Sequence, residues 1–170
     1  MPLLTGVARL ASRLVRRPDG GAPRQRLRAR ARGSARSGDY PGDFTGAVTP
    51  EYSPELDGDP DPGEIVWAWV PFEEDHSRGK DRPVLVVGRD GPWLLALMLS
   101  SRDHDTRPGH PGEDWIDLGA GDWDARRRPS EVRVDRVVRL AADAVRREGA
   151  MLDRQRFDQV VGSLRQRGGW

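Results

Sequence analysis

The chain of 170 residues has no cysteine and a single lysine, Lys80. Without thiols, disulfide staples and thiolate metal centres are excluded, so burial and pairing must hold the fold together. The scarcity of lysine is not a scarcity of charge. The 28 basic residues offset 27 acids to a net +1, and almost all are guanidinium groups. No apolar run approaches the ~20 residues that span a bilayer. Arg9, Arg13, Arg16 and Arg17 interrupt the apolar positions near the start, so neither a secretory leader nor membrane attachment is expected, and a cytoplasmic location is. Aromatics make up only 6%, yet six of them are tryptophan.

The charge is strongly segregated along the chain. Residues 1–38 hold ten arginines against Asp19, a net +9, whereas residues 39–64 hold eight acids and no base. The remainder, 65–170, is balanced, so a basic site on it must be local. Leu3, Leu4, Val7, Leu10, Leu14 and Val15 keep helical spacing among arginines, a pattern that fits a basic amphipathic helix or a disordered arm. Residues 18–62 are rich in Gly, Pro, Arg and Asp without a sustained apolar period, which predicts a linker. The expected organisation is a disordered extension over 1–62, first basic and then acidic, and one domain over 63–170.

Ordered elements are predicted from Gly63 onward. Ile65–Val70 reads as a strand ended by Pro71, and Pro83–Val87 as a second. Gly88-Arg89-Asp90-Gly91-Pro92 carries turn chemistry, after which Trp93–Ser100 returns as a third strand. Asp114–Leu118 alternates apolar and acidic residues as a fourth, and Val132–Leu140 is a fifth. Asp153 is a candidate N-cap for a helix whose Phe157, Val160, Val161 and Leu164 repeat at i, i+3, i+4 and i+7. Short strands with Gly/Pro turns and one closing helix predict a mainly β fold, a small barrel or sandwich.

The run GKDRPVLVVG (Gly79–Gly88) places an arginine at the mouth of that β structure. With GEIVWAWVPF before it, a third strand ending in Ser100-Ser101, then VRVD (Val132–Asp135), Arg139 and the closing helix, the order resembles the PemK/MazF family. Gly-Glu-Ile, Arg-Pro and Arg-x-Asp resemble the PemK (Kid) branch most. The resemblance implies an SH3-like barrel, a homodimer and metal-independent cleavage of single-stranded RNA, without a cofactor. It also implies a cognate antitoxin with an acidic tail and binding to promoter DNA through the toxin–antitoxin complex. On the matching positions, Asp135 takes the place of the general base, Arg133 of its paired arginine, and Arg82 of the arginine on the scissile phosphate. Ser100 stands where the family usually has threonine, and His76 stands six residues before Arg82 as a functional histidine does in that branch. Arg139, Ser101 and Arg102 are expected to contact RNA.

The chemistry asks for these residue types. Metal-free RNA cleavage needs a base for the 2′-OH proton, cations for the phosphorane and an acid for the leaving 5′-oxygen. A guanidinium suits bidentate phosphate contact but not proton donation. His76 has the mobile proton that an acid requires. On a regular strand Arg133 and Asp135 share a face. His104 and His110 with Asp103 and Asp105 fit no compact metal-ligand set. Trp67, Trp69, Trp93 and Trp115 sit at strand positions, where aromatic residues stack bases or fill cores and interfaces. A different class of function is a catalytically silent barrel that binds nucleic acid or a peptide. Residues 39–64 have the composition of an acidic antitoxin tail, and tethering would give them a high effective concentration at the groove.

Overall fold

The structure is a computed structural model that describes residues 40–55, 57–104 and 114–168. The basic arm over 1–38, with its amphipathic helical pattern, lies outside the described residues, as do His110 and Asp105. Six strands follow in chain order: β1 (Glu64–Pro71), β2 (Gly79–Asp90), β3 (Trp93–Ser100), β4 (Trp115–Gly119), β5 (Ser130–Ala141) and β6 (Val145–Met151). A 3-10 turn at Ala142–Ala144 separates the last two, and helix α1 (Arg154–Gly168) closes the chain. All pairings are antiparallel, in the order β4-β5-β3-β2-β1-β6. The expected mainly β fold with a C-terminal helix is what is found. The sixth strand was not predicted, because Val145-Arg146-Arg147-Glu148-Gly149-Ala150 has no apolar alternation. It pairs with β1 through two register breaks.

Both faces of the sheet are buried. One face carries Ile65, Leu85, Val87, Leu95, Leu97, Leu99, Val132, Val134 and Val137, covered by Phe157, Val160, Val161 and Leu164 of α1. The other carries Val66, Ala68, Val70, Val84, Val86, Leu94, Ala96, Met98, Val138 and Leu140, all supplied by the strands themselves. Burying a face with no second layer over it requires the sheet to coil around that face, which is the small-barrel geometry. The helix starts where its cap predicts: the Asp153 carboxylate accepts the Arg156 amide at 3.0 Å.

Residues 40–55 form a strap along the helix side of the sheet, where a linker was expected. Isolated apolar residues achieve this without any period. Phe44 packs against the first core and bridges Val137, Val48 is buried in it, and the Tyr52 hydroxyl donates to the Leu152 carbonyl at 2.8 Å. The Tyr52 ring rests 5.0 Å from Phe157 and lies over Gly63. Gly63 has φ +100°, and a Cβ there would come within 2.8 Å of that ring. Only glycine combines that backbone with that clearance. The strap's polar anchor is Asp43, which accepts from Arg136 Nε at 2.7 Å and Nη2 at 3.1 Å, and from the Tyr40 hydroxyl.

Burial pushes the Asp43 carboxyl up, but hydrogen bonds from Arg136 and Tyr40 and the nearby positive charge outweigh it and hold the group below its usual value. A carboxylate stabilised this way adds stability above its unfolded-state value and loses it as pH falls through the folded value. Protection of the Phe44 amide against hydrogen exchange, corrected for intrinsic rates, should therefore fall on acidification below about pH 4. In Asp43→Asn that protection should be low throughout, because the charge that compensates the buried Arg136 guanidinium is lost. Equal protection in both proteins would show that the pair does not anchor the strap.

Candidate nucleic-acid interface

At one end of the coiled face, apolar side chains give way to polar ones. Lys80 and Arg82 precede Val84 and Val86 on the same face of β2, and Ser100 follows Met98 on β3. On β5 the same face carries Glu131, Arg133 and Asp135, since Val132 and Val134 point into the opposite core. Trp115 of β4 pairs with Arg133 and packs on this second core. Arg82 and Arg133 thus share a face on the two strands that flank β3, strands about 10 Å apart by twice the strand spacing.

Arg133 and Asp135 form the fork that their spacing predicts. Arg133 Nε donates to Asp135 Oδ1 at 2.9 Å and Nη2 donates to Oδ2 at 2.7 Å. Glu73, from the loop after β1, approaches Arg133 Nη2 at 3.0 Å, and the Asp114 amide donates to Asp135 Oδ1 at 2.8 Å. Arg133 is only 5% exposed, so the bidentate geometry compensates a largely desolvated charge. Ser100 is buried, and its Oγ accepts the Arg102 amide at 3.1 Å. Ser101 and Arg102 are exposed at the rim.

Of two further expected positions, one contacts the strap and the other lies on the opposite side of the sheet. His76 stands edge-on to Tyr40 of the strap, ring centres 4.9 Å apart. Arg139, expected to contact RNA, faces the strap on the helix side of the sheet. It donates to Asp90 at 2.9 Å, to the carbonyls of Gly42 at 3.0 Å and Asp43 at 2.9 Å, and lies 4.9 Å over the Phe44 ring. The reason is a register slip in β5. Leu99 pairs with Val132 but Leu97 with Val137, so the alternation reverses phase between them. Val132 and Val134 belong to one core with Val137, whereas Val138 and Leu140 belong to the other. Arg139 therefore emerges opposite Arg133 and Asp135.

The sequence reading missed three contributors. Glu131 is buried and accepts from His104 twice, from the backbone N–H at 3.1 Å and at Nδ1 at 2.6 Å. The His104 ring stacks on Trp115 with 3.8 Å between centres and 3° between planes. The signal for Glu131 was present in the alternation Glu131, Arg133, Asp135, whereas nothing in the spacing marks His104. Lys80 is the third. Its ammonium is held below the usual lysine range by the Arg82 guanidinium first, then by partial desolvation and by Arg102, which identifies a local cationic cluster. Among the described residues, no group of three or more His, Asp or Glu side chains is arranged to hold a metal ion. No helix among them is long and apolar enough to cross a membrane.

The family model described as the PemK-like, MazF-like toxin of type II toxin–antitoxin systems matches residues 61–167, and the chain belongs to that family. Among solved structures, a MazE–MazF crystal structure from Deinococcus radiodurans is similar at 24% identity, with a TM-score of 0.45. The similarity covers 63% of this chain and 93% of that one. No curated protein matches.

Because Lys80 is the only lysine, its side chain gives one unambiguous signal in a lysine-labelled spectrum. Arg82→Ala removes the main charge that depresses it, so NMR titration should show Lys80 deprotonating at higher pH than in the wild type. An unchanged titration would show that the two cations do not share a site.

Proposed function

We propose that this chain is a ribonuclease toxin of the PemK (Kid) branch, which cuts single-stranded RNA at a short sequence without a metal and leaves a 2′,3′-cyclic phosphate. The observation that carries this reading is the one face on which the Arg133–Asp135 fork, Ser100 and the Lys80/Arg82/Arg102 cations lie together. In the reaction, Asp135 takes the 2′-OH proton. Arg82 and Arg133 stabilise the charge that develops on the phosphorane, where fixed cations act most strongly. Arg102 and Ser101, at the rim, contact the flanking nucleotides. Arg139 drops out of the RNA contacts, since it engages the strap on the other side of the sheet, whereas His76 packs on Tyr40 at the strap's start.

In this reading the functional unit includes the strap from Tyr40 as well as the barrel. Its partners are messenger RNA, a second copy of the chain, a cognate antitoxin, and promoter DNA bound through the toxin–antitoxin complex. The setting is the cytoplasm.

Incubating the purified protein with a long transcript in chelator, then mapping sites and end groups, tests this directly. Cleavage at a recurrent short sequence with cyclic phosphate ends is expected. Asp135→Ala should slow cleavage by about 10²- to 10⁴-fold, the range of a positioned proton acceptor. Arg82→Ala should cost about 10²- to 10³-fold while the circular dichroism spectrum is retained. Salt-dependent RNA binding without any cleavage would instead establish a silent binding module.

A further inference from the structure

The strand that holds the Arg133–Asp135 fork also holds a second pair that the reading above does not use. Glu131 is buried beside the mouth of the coiled face, with its side chain 8% exposed, and receives both the backbone amide and the ring Nδ1 of His104. The ring lies flat on Trp115, the cross-strand neighbour of Arg133. Ser100 is the cross-strand neighbour of Glu131 on the other side. The imidazole is therefore fixed in three ways: by its backbone, by one ring nitrogen and by its plane. Directly opposed strand residues have Cβ atoms about 5 Å apart, so His104 stands within a side chain's length of the fork and of Ser100.

This arrangement suits proton donation. With Nδ1 given to Glu131, Nε2 is the nitrogen left to meet a substrate. The carboxylate behind it and the indole beneath it hold the ring in one orientation. The fork cannot supply that proton, because a guanidinium does not release one near neutral pH. The charged groups on the elements beside His104 are Glu131, Arg133 and Asp135 of β5, Asp117 of β4, and Arg102 and Asp103 of its own segment, with Lys80 and Arg82 on the same face of β2.

We propose that His104 is the general acid of the cleavage reaction and that Glu131 is its positioning residue, an assignment that rests on the ribonuclease reading. The 2′-oxygen bonds to phosphorus as its proton passes to Asp135. The P–O5′ bond breaks with its electron pair on O5′, and Nε2–H of His104 protonates that oxygen. The products are a 2′,3′-cyclic phosphate and a 5′-hydroxyl.

The test uses the full chain and one oligoribonucleotide in two forms, with oxygen or with sulfur at the bridging 5′ position. A thiolate leaves without being protonated, so loss of a general acid is felt only on the oxygen substrate. His104→Ala should slow cleavage of the oxygen form by about 10²-fold or more and leave the sulfur form close to wild type. Glu131→Gln should slow the oxygen form less and move the alkaline limb of its rate–pH profile to lower pH, a shift that a merely structural role would not produce. An equal loss on both substrates, or no loss on the oxygen form, overturns the assignment while wild-type cleavage leaves the ribonuclease reading standing. A wild-type chain that cuts neither form overturns both.

Discussion

A central strand that carries buried charge sets the arrangement of the rest of the molecule. β5 is paired on both sides, and Glu131, Arg133 and Arg136 along it are each 5–6% exposed. An ion taken out of water costs several kcal/mol unless a partner and hydrogen bonds replace its hydration. Each of these three therefore fixes a segment that would otherwise be independent. Glu131 holds His104 beyond β3, and Arg133 holds Asp135 and Glu73 of the β1–β2 loop. Arg136 holds Asp43 of the strap and the Pro71 carbonyl that ends β1. Three distant stretches of chain converge on β5 for an electrostatic reason, and the candidate site is where two of them meet.

The phase reversal in β5 divides these duties between the two sides of the sheet. Before the slip, the odd-numbered residues face the candidate site. After it, Val137 and Arg139 face the helix side, where Arg139 and the Val137 carbonyl secure the strap. One rigid strand thereby presents chemistry on one side and a structural clamp on the other. A site built on such a strand keeps its geometry more tightly than one built on loops.

How much of this was legible in the sequence depends on whether a feature is periodic. The strands with apolar alternation or continuous apolar runs, and the helix with its Asp153 cap, were readable, as was the Arg-x-Asp pair. β6 was not readable, since its seven residues owe their strand state to pairing with β1. The strap was not either, because Phe44, Val48 and Tyr52 reach the core one at a time from an acidic, turn-rich background. The spacing Val134 to Val137, followed by the adjacent Val138, does record the break in alternation that sends Arg139 to the wrong side. His104 was hidden because its place is fixed by a residue 27 positions away and by a ring on another strand.

The two outer margins of the sheet differ. Beside β4, the strap's bridge to Val137 occupies a further stretch of the same β5 border. At the other margin lies β6, whose two breaks in register with β1 leave its outward amides and carbonyls unevenly spaced. Irregular edges of this kind discourage the addition of a regular strand from another molecule. The strand with the least apolar sequence is thus also the one with the least regular pairing.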